Sequence, residues 1–363
     1  MEREIHKTLM QECLSLAKKG KGAVSPNPLV GAILVKGGRI VARGYHRKFG
    51  GPHAEVECLQ SYRGDASSAT LYINLEPCSH FGKTPPCTDL ILRSGIRRVI
   101  VAMKDPNPLV SGRGIRRLRS AGVDVLMGVL EEEAVALNRF FVKHITTGMP
   151  YVHLKLAQSL DGKIADAGGN SRWISSPESR SLVHQWRAEY DAVLVGAGTV
   201  EKDNPALTVR MVRGRDPDIV VLDGRFRVPS GSRVFSVNRN RRIFLCVGRN
   251  AARRQARKTA ALRKRGVEVI EFQSERGHLS LKKVLHVLYS RGIGSLLVEG
   301  GGMVFGDFIH NALADELSVF VAPRIIGEGV NGFVMDQRGK RPRLFRLSAS
   351  PIGPDILLKG VTK

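Results

Sequence analysis

Long apolar runs are missing from this sequence: no stretch approaches 18 consecutive apolar residues, so nothing reads as a membrane-spanning helix. The opening residues, MEREIHKTLMQECLSLAKKG, carry acids and lack the apolar core of a secretory leader. Cysteine is scarce and odd in number, with five residues at 13, 58, 78, 87 and 246. An odd count without a leader argues against a disulfide framework and for a reducing, cytoplasmic compartment, where cysteine packs, binds metal or catalyses. Aromatics make up only 6% against 39 glycines, a balance common in α/β proteins. No repeat of fixed period and no low-complexity tract is present, which excludes a repeat architecture. Acidic residues are few beside basic ones, 33 against 57, for a net charge of +24. Such an excess fits either nucleic acid or phosphorylated small molecules. Apart from VNRNRR (237–242) and RRQARK (253–258) the cations are scattered, so nucleic acid is the disfavoured partner.

The length of 363 residues, at about 150 per domain, predicts two domains, and 42% hydrophobic residues lets each bury a core. Ile5, Leu9, Cys13, Leu16 and Ala17 recur at helical spacing over 4–19. SPNP (25–28) ends that segment. LVGAILV (29–35) reads as a buried strand that turns at GGR (37–39) into IVARGYH. HAEVECLQSY reads as a helix, ATLYINLEPC as a strand entering a loop, CTDLILRSG as a helix and IRRVIVAM as a strand. GRGIRRLRSAG is a further helix before the strand VDVLMGV. This alternation predicts a three-layer α/β/α domain over residues 1–147. A second α/β domain, 148–363, begins near PYVHLKLAQSLDGKIA (150–165) and continues with the helix SPESRSLVHQWRAEY. Five apolar strands follow, in DAVLVGAGTV, DIVVLDG, RRIFLCVG, VEVIEF and GSLLVEGGG.

The first domain holds His53 and Glu55 in HAE, Cys78 in EPC, and Cys87 at the next helix start. Twenty-four residues separate His53 from Cys78 and eight separate Cys78 from Cys87. Singly, such a histidine is a cap and such cysteines are core packing. Together they offer one imidazole and two thiolates, three ligands for a Zn2+ that keeps a fourth place open for water, as catalytic sites do. Zinc lowers the pKa of that water to about 7. Glu55 need not bind metal and can carry protons between the water, a ring nitrogen and departing ammonia. His-x-Glu followed by Pro-Cys is the pattern of zinc deaminases of bases, which commonly place two residues between the cysteines, where this chain has SHFGKTPP.

HAE (53–55), EPCSHFGKTPPC (76–87) and DPNP (105–108) closely resemble the deaminase half of the bifunctional deaminase–reductases of riboflavin biosynthesis. The resemblance implies a cytidine-deaminase-like fold, zinc on His53, Cys78 and Cys87, and Glu55 as proton shuttle. The implied substrate is a diaminopyrimidinone bearing a ribosylamino 5′-phosphate. Asn27 would face its pyrimidine and Asn107 its sugar phosphate, although each sits beside prolines where turn duty is the plainer role. In the insert, His80, Lys83 and Thr84 supply two potential cations and a hydroxyl for a phosphosugar.

Three later stretches, KLAQSLDGKIA (155–165), VGAGTVEKDNPALTVR (195–210) and LLVEGGGMVFGDFI (296–309), resemble the reductase half of the same family. Glycines between a strand and a helix let a backbone approach a pyrophosphate at the helix start, while GxGxxG is absent after the first strand, which argues against a standard dinucleotide fold. The resemblance implies a dihydrofolate-reductase-like domain using NADPH. It assigns Ala157, Trp173, Thr199, Asp203 and the run Gly301, Gly302, Met303, Val304, Phe305, Gly306 and Asp307 to the cofactor. It assigns Ser171, Arg187, Leu207, Arg210 and Glu299 to the phosphorylated substrate, with Arg187 and Arg210 able to fork onto a phosphate, and Lys155 to the ribose. Hydride transfer would open the ribosyl ring to a ribityl chain. A homo-oligomer, dimer or tetramer, is expected.

Three rivals stand beside this reading. A tRNA or nucleobase deaminase would share the metal pattern and use the basic charge. A structural zinc protein would close the metal with Cys58 or His80. A deaminase with an inactive reductase domain would keep only the first activity. Residues 211–290 match the family thinly, and those after 330 are not legible in sequence.

Overall fold

The structure, a computed structural model, describes residues 2–81, 85–108, 110–170, 174–236, 241–334 and 343–362. The chain divides into two compact units, Met1–Gly148 and Met149–Lys363.

In the first unit the elements run α1 (Glu2–Lys18), β1 (Gly31–Lys36), β2 (Arg39–Tyr45), α2 (Ala54–Gln60), β3 (Thr70–Leu75), α3 (Cys87–Arg93), β4 (Arg98–Met103), α4 (Arg113–Ser120), β5 (Asp124–Met127), α5 (Glu131–Leu137) and α6 (Arg139–Thr147). The sheet order is β2-β1-β3-β4-β5. β1 is antiparallel to both neighbours, whereas β3, β4 and β5 are parallel. Strands covered on both faces read as unbroken apolar runs, because alternate side chains each meet a core. Leu34, Leu71, Ile73, Val99 and Val101 pack on one face with Ala54 and Cys58 of α2, Ile91 of α3 and Leu118 of α4. Ile33, Val35, Tyr72, Ile100 and Ala102 pack on the other with Met10 and Cys13 of α1 and Ala134 of α5. Gly37 and Gly38 both take positive φ, 57° and 75°, as a two-residue hairpin requires.

Helix α2 lies flush on β2. A Cβ added to Gly44 would meet Cys58 N at 2.3 Å and Ala54 O at 2.4 Å. Neither contact can yield, since both are helix backbone. Gly44→Ala is therefore expected to destabilise this unit by about 1–3 kcal/mol, read as a lower midpoint in denaturant unfolding.

The second unit runs β6 (Tyr151–Ser159), β7 (Lys163–Asp166), α7 (Pro177–Glu189), β8 (Ala192–Gly196), α8 (Ala197–Asp203), β9 (Asp218–Asp223), a 3-10 turn (Arg233–Phe235), β10 (Ile243–Gly248), α9 (Arg249–Arg254), α10 (Ala256–Lys264) and β11 (Val267–Phe272). It continues with β12 (Ser274–Glu275), β13 (His278–Leu279), α11 (Leu281–Ser290), β14 (Ser295–Val298), α12 (Gly302–His310), β15 (Glu316–Ala322), β16 (Gly329–Asn331), β17 (Phe345–Ile352) and β18 (Asp355–Val361). The main sheet is ordered β11-β10-β9-β8-β14-β6-β15-β18-β17. Its pairs are parallel up to β6–β15 and antiparallel beyond. From β8 the chain steps outward to β11, then returns to insert β14 between β8 and β6. Ligands of open α/β sheets bind at such a reversal, beyond the carboxyl ends of the strands.

Where the sequence reading takes DAVLVGAGTV as one strand, the strand ends at Gly196 and AGTV begins α8. The illegible C-terminal stretch supplies β17 and β18 and the end of β16. Its Asp355 holds the start of α7, accepting hydrogen bonds from Ser176 N at 2.7 Å and Ser179 Oγ at 2.6 Å. Ser176 caps the same helix by accepting from Ser179 N.

Candidate active sites

In the first unit, three structural ends converge. His53 immediately precedes α2, Cys78 lies in the loop leaving β3, and Cys87 opens α3. His53 Nδ1 is 3.2 Å from Cys87 Sγ and 3.7 Å from Cys78 Sγ, and the Cys87 backbone N–H donates to Cys78 Sγ at 3.3 Å. A tetrahedral zinc with Zn–S of about 2.3 Å and Zn–N of about 2.0–2.1 Å needs ligand-to-ligand edges of roughly 3.4–3.8 Å. The 3.7 Å edge lies in that range and the 3.2 Å edge a few tenths below it, and with all three atoms within 4.8 Å of one another the donor set suits zinc. Among the described residues the metal-capable group holds these three and no fourth ligand. Neither Cys58 nor His80 belongs to that group, so among the described residues neither closes the site as a fourth ligand.

The surrounding charges suit the same reading. The hydrogen bond from Cys87 lowers the Cys78 thiol against the opposing effect of burial, and His53 adds to the lowering. The hydrogen bond with Cys78 raises His53. Glu55, in the first turn of α2, is 4% exposed. Burial, with the nearby Cys78, pushes its carboxyl up to about 6. A carboxyl poised near neutrality can both take and release a proton.

Two residues that the sequence reading passed over position the expected substrate residues. His46 Nδ1 lies 2.8 Å from Pro52 O, and a carbonyl only accepts, so Nδ1 carries the proton. In the neutral ring Nε2 then accepts, and the Asn27 amide donates to it from Nδ2 at 3.1 Å. Asn27 Oδ1 is thereby turned away from His46 as an acceptor. Glu76, of EPC, accepts from the backbone N–H groups of Asp105 (3.1 Å), Gly112 (2.8 Å), Gly114 (2.9 Å) and Ile115 (3.3 Å). It thus pegs the DPNP turn, in which Asp105 accepts from Asn107 N at 2.8 Å. The only sequence signals were a histidine in GYH and the glutamate of EPC, neither of which declares a partner. Lys83 and Thr84 lie outside the described residues.

In the second unit a cavity of about 360 Å³ opens at the carboxyl ends of β6, β8 and β14, at the chain reversal. It brings together Lys155, Ala157, Arg187, Thr199, Asp203, Leu207, Arg210, Glu299 and Gly301. Ser171 and Trp173 lie outside the described residues. The rest of the glycine-rich run is not among the residues lining this cavity. Met303 and Asp307 are exposed and away from the cavity lining, Phe305 is wholly buried in the core, and Gly306 is buried. Val304 packs against Gly196 and Gly300, where an added Cβ would meet its side chain at 2.8 Å in each case. Gly302 backs onto Asn331 O, 2.8 Å from an added Cβ. What this run offers the cavity is the start of α12, whose first N–H groups have no partner within the helix. A Cβ at Gly301 would meet only Thr199 Oγ1, at 3.9 Å, so the backbone there faces open space suited to a dinucleotide phosphate.

The arginine fork expected to hold phosphate is already occupied. Arg187 donates from Nε and Nη2 to the two Glu299 oxygens at 2.6 and 2.8 Å, and from Nη1 to Thr208 O at 3.1 Å. Burial favours the neutral form of Glu299, but the Arg187 charge and hydrogen bonds, aided by Lys155, hold it down at about 2. Lys155 itself is lowered by burial. Leu207 is 4% exposed and takes a left-handed φ of 53°, a costly conformation for leucine. It is held there by Arg241, which donates to Leu207 O at 3.2 Å and Ala206 O at 2.8 Å. Arg241 lies in the stretch the sequence reading covered thinly.

Fold and sites define a two-domain enzyme, a zinc-dependent cytidine-deaminase-like domain followed by a dihydrofolate-reductase-like reductase domain. Residues 3–103 match the cytidine and deoxycytidylate deaminase zinc-binding region, and residues 150–358 match the RibD C-terminal domain. The riboflavin biosynthesis protein RibD of Aquifex aeolicus is 47% identical over 91% of this chain and 90% of its own. The crystal structure of a diaminohydroxyphosphoribosylaminopyrimidine deaminase/5-amino-6-(5-phosphoribosylamino)uracil reductase from Thermotoga maritima is 41% identical, covers 100% of both chains and has a TM-score of 0.85. RibD of Acinetobacter baumannii, 34% identical with 100% of both chains covered, has a TM-score of 0.88. The chain belongs to the RibD family, the bifunctional deaminase–reductases of riboflavin biosynthesis, with zinc and NADPH as cofactors. Among the described residues no helix is long and apolar enough to cross a membrane.

Proposed function

We propose that residues 1–147 deaminate 2,5-diamino-6-(5-phosphoribosylamino)pyrimidin-4(3H)-one by hydrolysis and that residues 148–363 reduce the product to 5-amino-6-(5-phosphoribitylamino)uracil. The observation that carries the first step is the His53–Cys78–Cys87 triangle with buried Glu55 beside it. When bound, zinc supplies the Lewis acidity that makes water attack near neutral pH. Glu55 takes the proton of the attacking water, passes it to the ring nitrogen, and delivers a proton to the amine that leaves as ammonia. Asn27, its amide oriented by His46, accepts from the pyrimidine, and Asn107, with His80, Lys83 and Thr84, receives the phosphosugar.

When bound in the reductase cavity, NADPH would supply the hydride that, together with one proton, reduces the C1′=N imine of the opened sugar. Thr199 and the N–H groups at the start of α12 support a reading in which the dinucleotide lies along Gly301, with Ala157 and Asp203 beside it. Lys155 holds the ribose oxygens while Glu299 keeps the lysine charged and in place. Arg210 and Leu207 face the phosphorylated substrate, and Arg187 acts by fixing Glu299. Five free cysteines, two of them in the metal triangle, support a reducing, cytoplasmic setting. The solvent-facing edge strand β17, with Phe345 and Leu347 exposed, supports a homo-oligomer, which sedimentation would reveal.

The test is incubation of the purified protein with the diaminopyrimidinone phosphate and NADPH, following ammonia and NADPH absorbance together. Treatment with a zinc chelator is expected to remove ammonia release by more than about 100-fold, with added zinc restoring it. NADPH oxidation on the deaminated substrate should persist, because no metal-capable group lies among the described residues of the second unit. Ammonia release that survives loss of zinc would end the reading.

A further inference from the structure

The fork of Arg187 is taken by Glu299, while the cavity lining also holds the cations Lys155, Arg180 and Arg210, of which Arg180 donates to Ser175 O at 2.6 Å. The cavity wall contributed by α7 also carries His184, three residues before Arg187 and on the same helix face. We propose that the Nε2–H of His184 donates to the 5′-phosphate of the substrate, beside the guanidinium of Arg210. This deepens the reductase reading above and rests on it.

The protonation of His184 follows from its partner. Its Nδ1 accepts a hydrogen bond from the backbone N–H of Arg210 at 3.1 Å. A ring nitrogen that accepts carries no proton, so the ring is neutral and its single proton sits on Nε2. Burial, then the charges of Arg187 and Arg210, lower the ring to about 4, in agreement with that state. Nε2 has no hydrogen-bond partner among the described residues, and it is not among their enclosed, unpartnered polar atoms. It therefore opens onto the cavity that the residue lines.

A neutral donor is the suitable group here. A further cation beside Arg187 and Arg210, in a lining that also holds Lys155 and Arg180, would be repelled, whereas an imidazole N–H adds none of that repulsion. The residue as a whole is 6% exposed, so its donor competes little with water, and a hydrogen bond to a charged oxygen is stronger than one between neutral groups. The side chain of Arg210 has no partner among the described residues, and the His184–Arg210 bond sets the direction in which that arginine leaves the chain. One imidazole thus places the cation and supplies the neighbouring donor.

The cavity also takes a dinucleotide, so a phosphate at this position has two sources, and the test separates them. Reductase kinetics are measured for the natural protein, His184→Gln, His184→Leu and His184→Phe, the last keeping a flat ring in the same space. The substrates are the deaminated ribosylamino phosphate and its phosphate-free analogue, with deamination by the same preparations as the control for folding. Leu and Phe are expected to raise KM for the phosphorylated substrate by about tenfold or more. Their kcat should stay within about twofold, and KM for NADPH and for the phosphate-free analogue should be unchanged. Gln, which keeps an N–H donor, should restore most of the loss. Equal losses on both substrates, a rise confined to NADPH, or no change at all would overturn the proposal. If the natural protein consumes no NADPH, the reductase reading fails on its own account, and calorimetric titration with ribose 5-phosphate still decides. Binding that weakens in Leu and Phe and persists in Gln supports the phosphate site; no binding, or equal binding by all four proteins, overturns it.

Discussion

Glu55→Gln is expected to reduce ammonia release by about 10²–10⁴-fold, while zinc content and NADPH oxidation on the deaminated substrate stay as they were. The size follows from the proton bookkeeping. Hydrolytic deamination moves a proton off water and delivers protons to a ring nitrogen and to a leaving amine. An amide does neither at neutral pH. Glu55 is suited to all three transfers because burial, with the negative charge of Cys78, pushes its carboxyl up to about 6. Glutamine has nearly the same volume and sits at the same point in the first turn of α2, so His53, at the N-cap of that helix, keeps its place. Elemental analysis for zinc beside an ammonia assay makes the measurement. Loss of zinc together with activity would assign Glu55 to holding the site rather than to the chemistry.

Glu299→Ala is expected to cost the second unit about 3–5 kcal/mol of stability, a larger effect than almost any surface change would have. Arg187 and Glu299 side chains are only 13% and 10% exposed, and their two parallel hydrogen bonds leave each as the other's main partner. Removing one strands the other charge away from water. Arg187→Leu on top of Glu299→Ala should recover most of the loss, since the penalty belongs to the unpaired ion and not to the missing bond. Reduction should remain absent in the double variant, because Lys155 then lacks its carboxylate. The pH dependence follows from the depressed carboxyl. The folded group titrates near 2 against an ordinary value of 4.5, so its contribution is complete above about pH 4.5 and is lost as pH falls toward 2. Denaturant midpoints measured across that window should fall less steeply in Glu299→Gln than in the natural protein. A slope unchanged by the substitution would show that Glu299 is not the group that titrates.

The parts of both sites that were legible in sequence share one property: their chemistry is carried by residue type. A histidine and two cysteines together have few uses in a reducing compartment, so His53, Cys78 and Cys87 could be read from spacing and setting. Strand-to-helix glycines were legible for the same reason, since Gly196, Gly300 and Gly302 admit a neighbour where a Cβ would collide. Residues whose role lies in a partner were not. His46 orients Asn27, Glu76 gathers four backbone N–H groups, and Arg241 holds a left-handed leucine. Arg187 reads as a phosphate ligand because an arginine fork fits phosphate and carboxylate alike, and sequence gives no sign that Glu299, 112 positions away, meets that fork in the fold.

Sequence alone determined that this chain has two α/β domains, a three-residue group able to hold zinc with a glutamate beside it, and a glycine-lined strand end in the second. Hydrophobic period, turn residues and ligand type are local properties and survive in one dimension. The tertiary structure alone decided which of several equivalent cations meets a carboxylate, which tautomer a buried imidazole holds, and that only Gly301 of a seven-residue run lines the cavity. Those outcomes depend on what lies opposite a side chain after folding, and burial makes each such pairing strong enough to set charge and orientation.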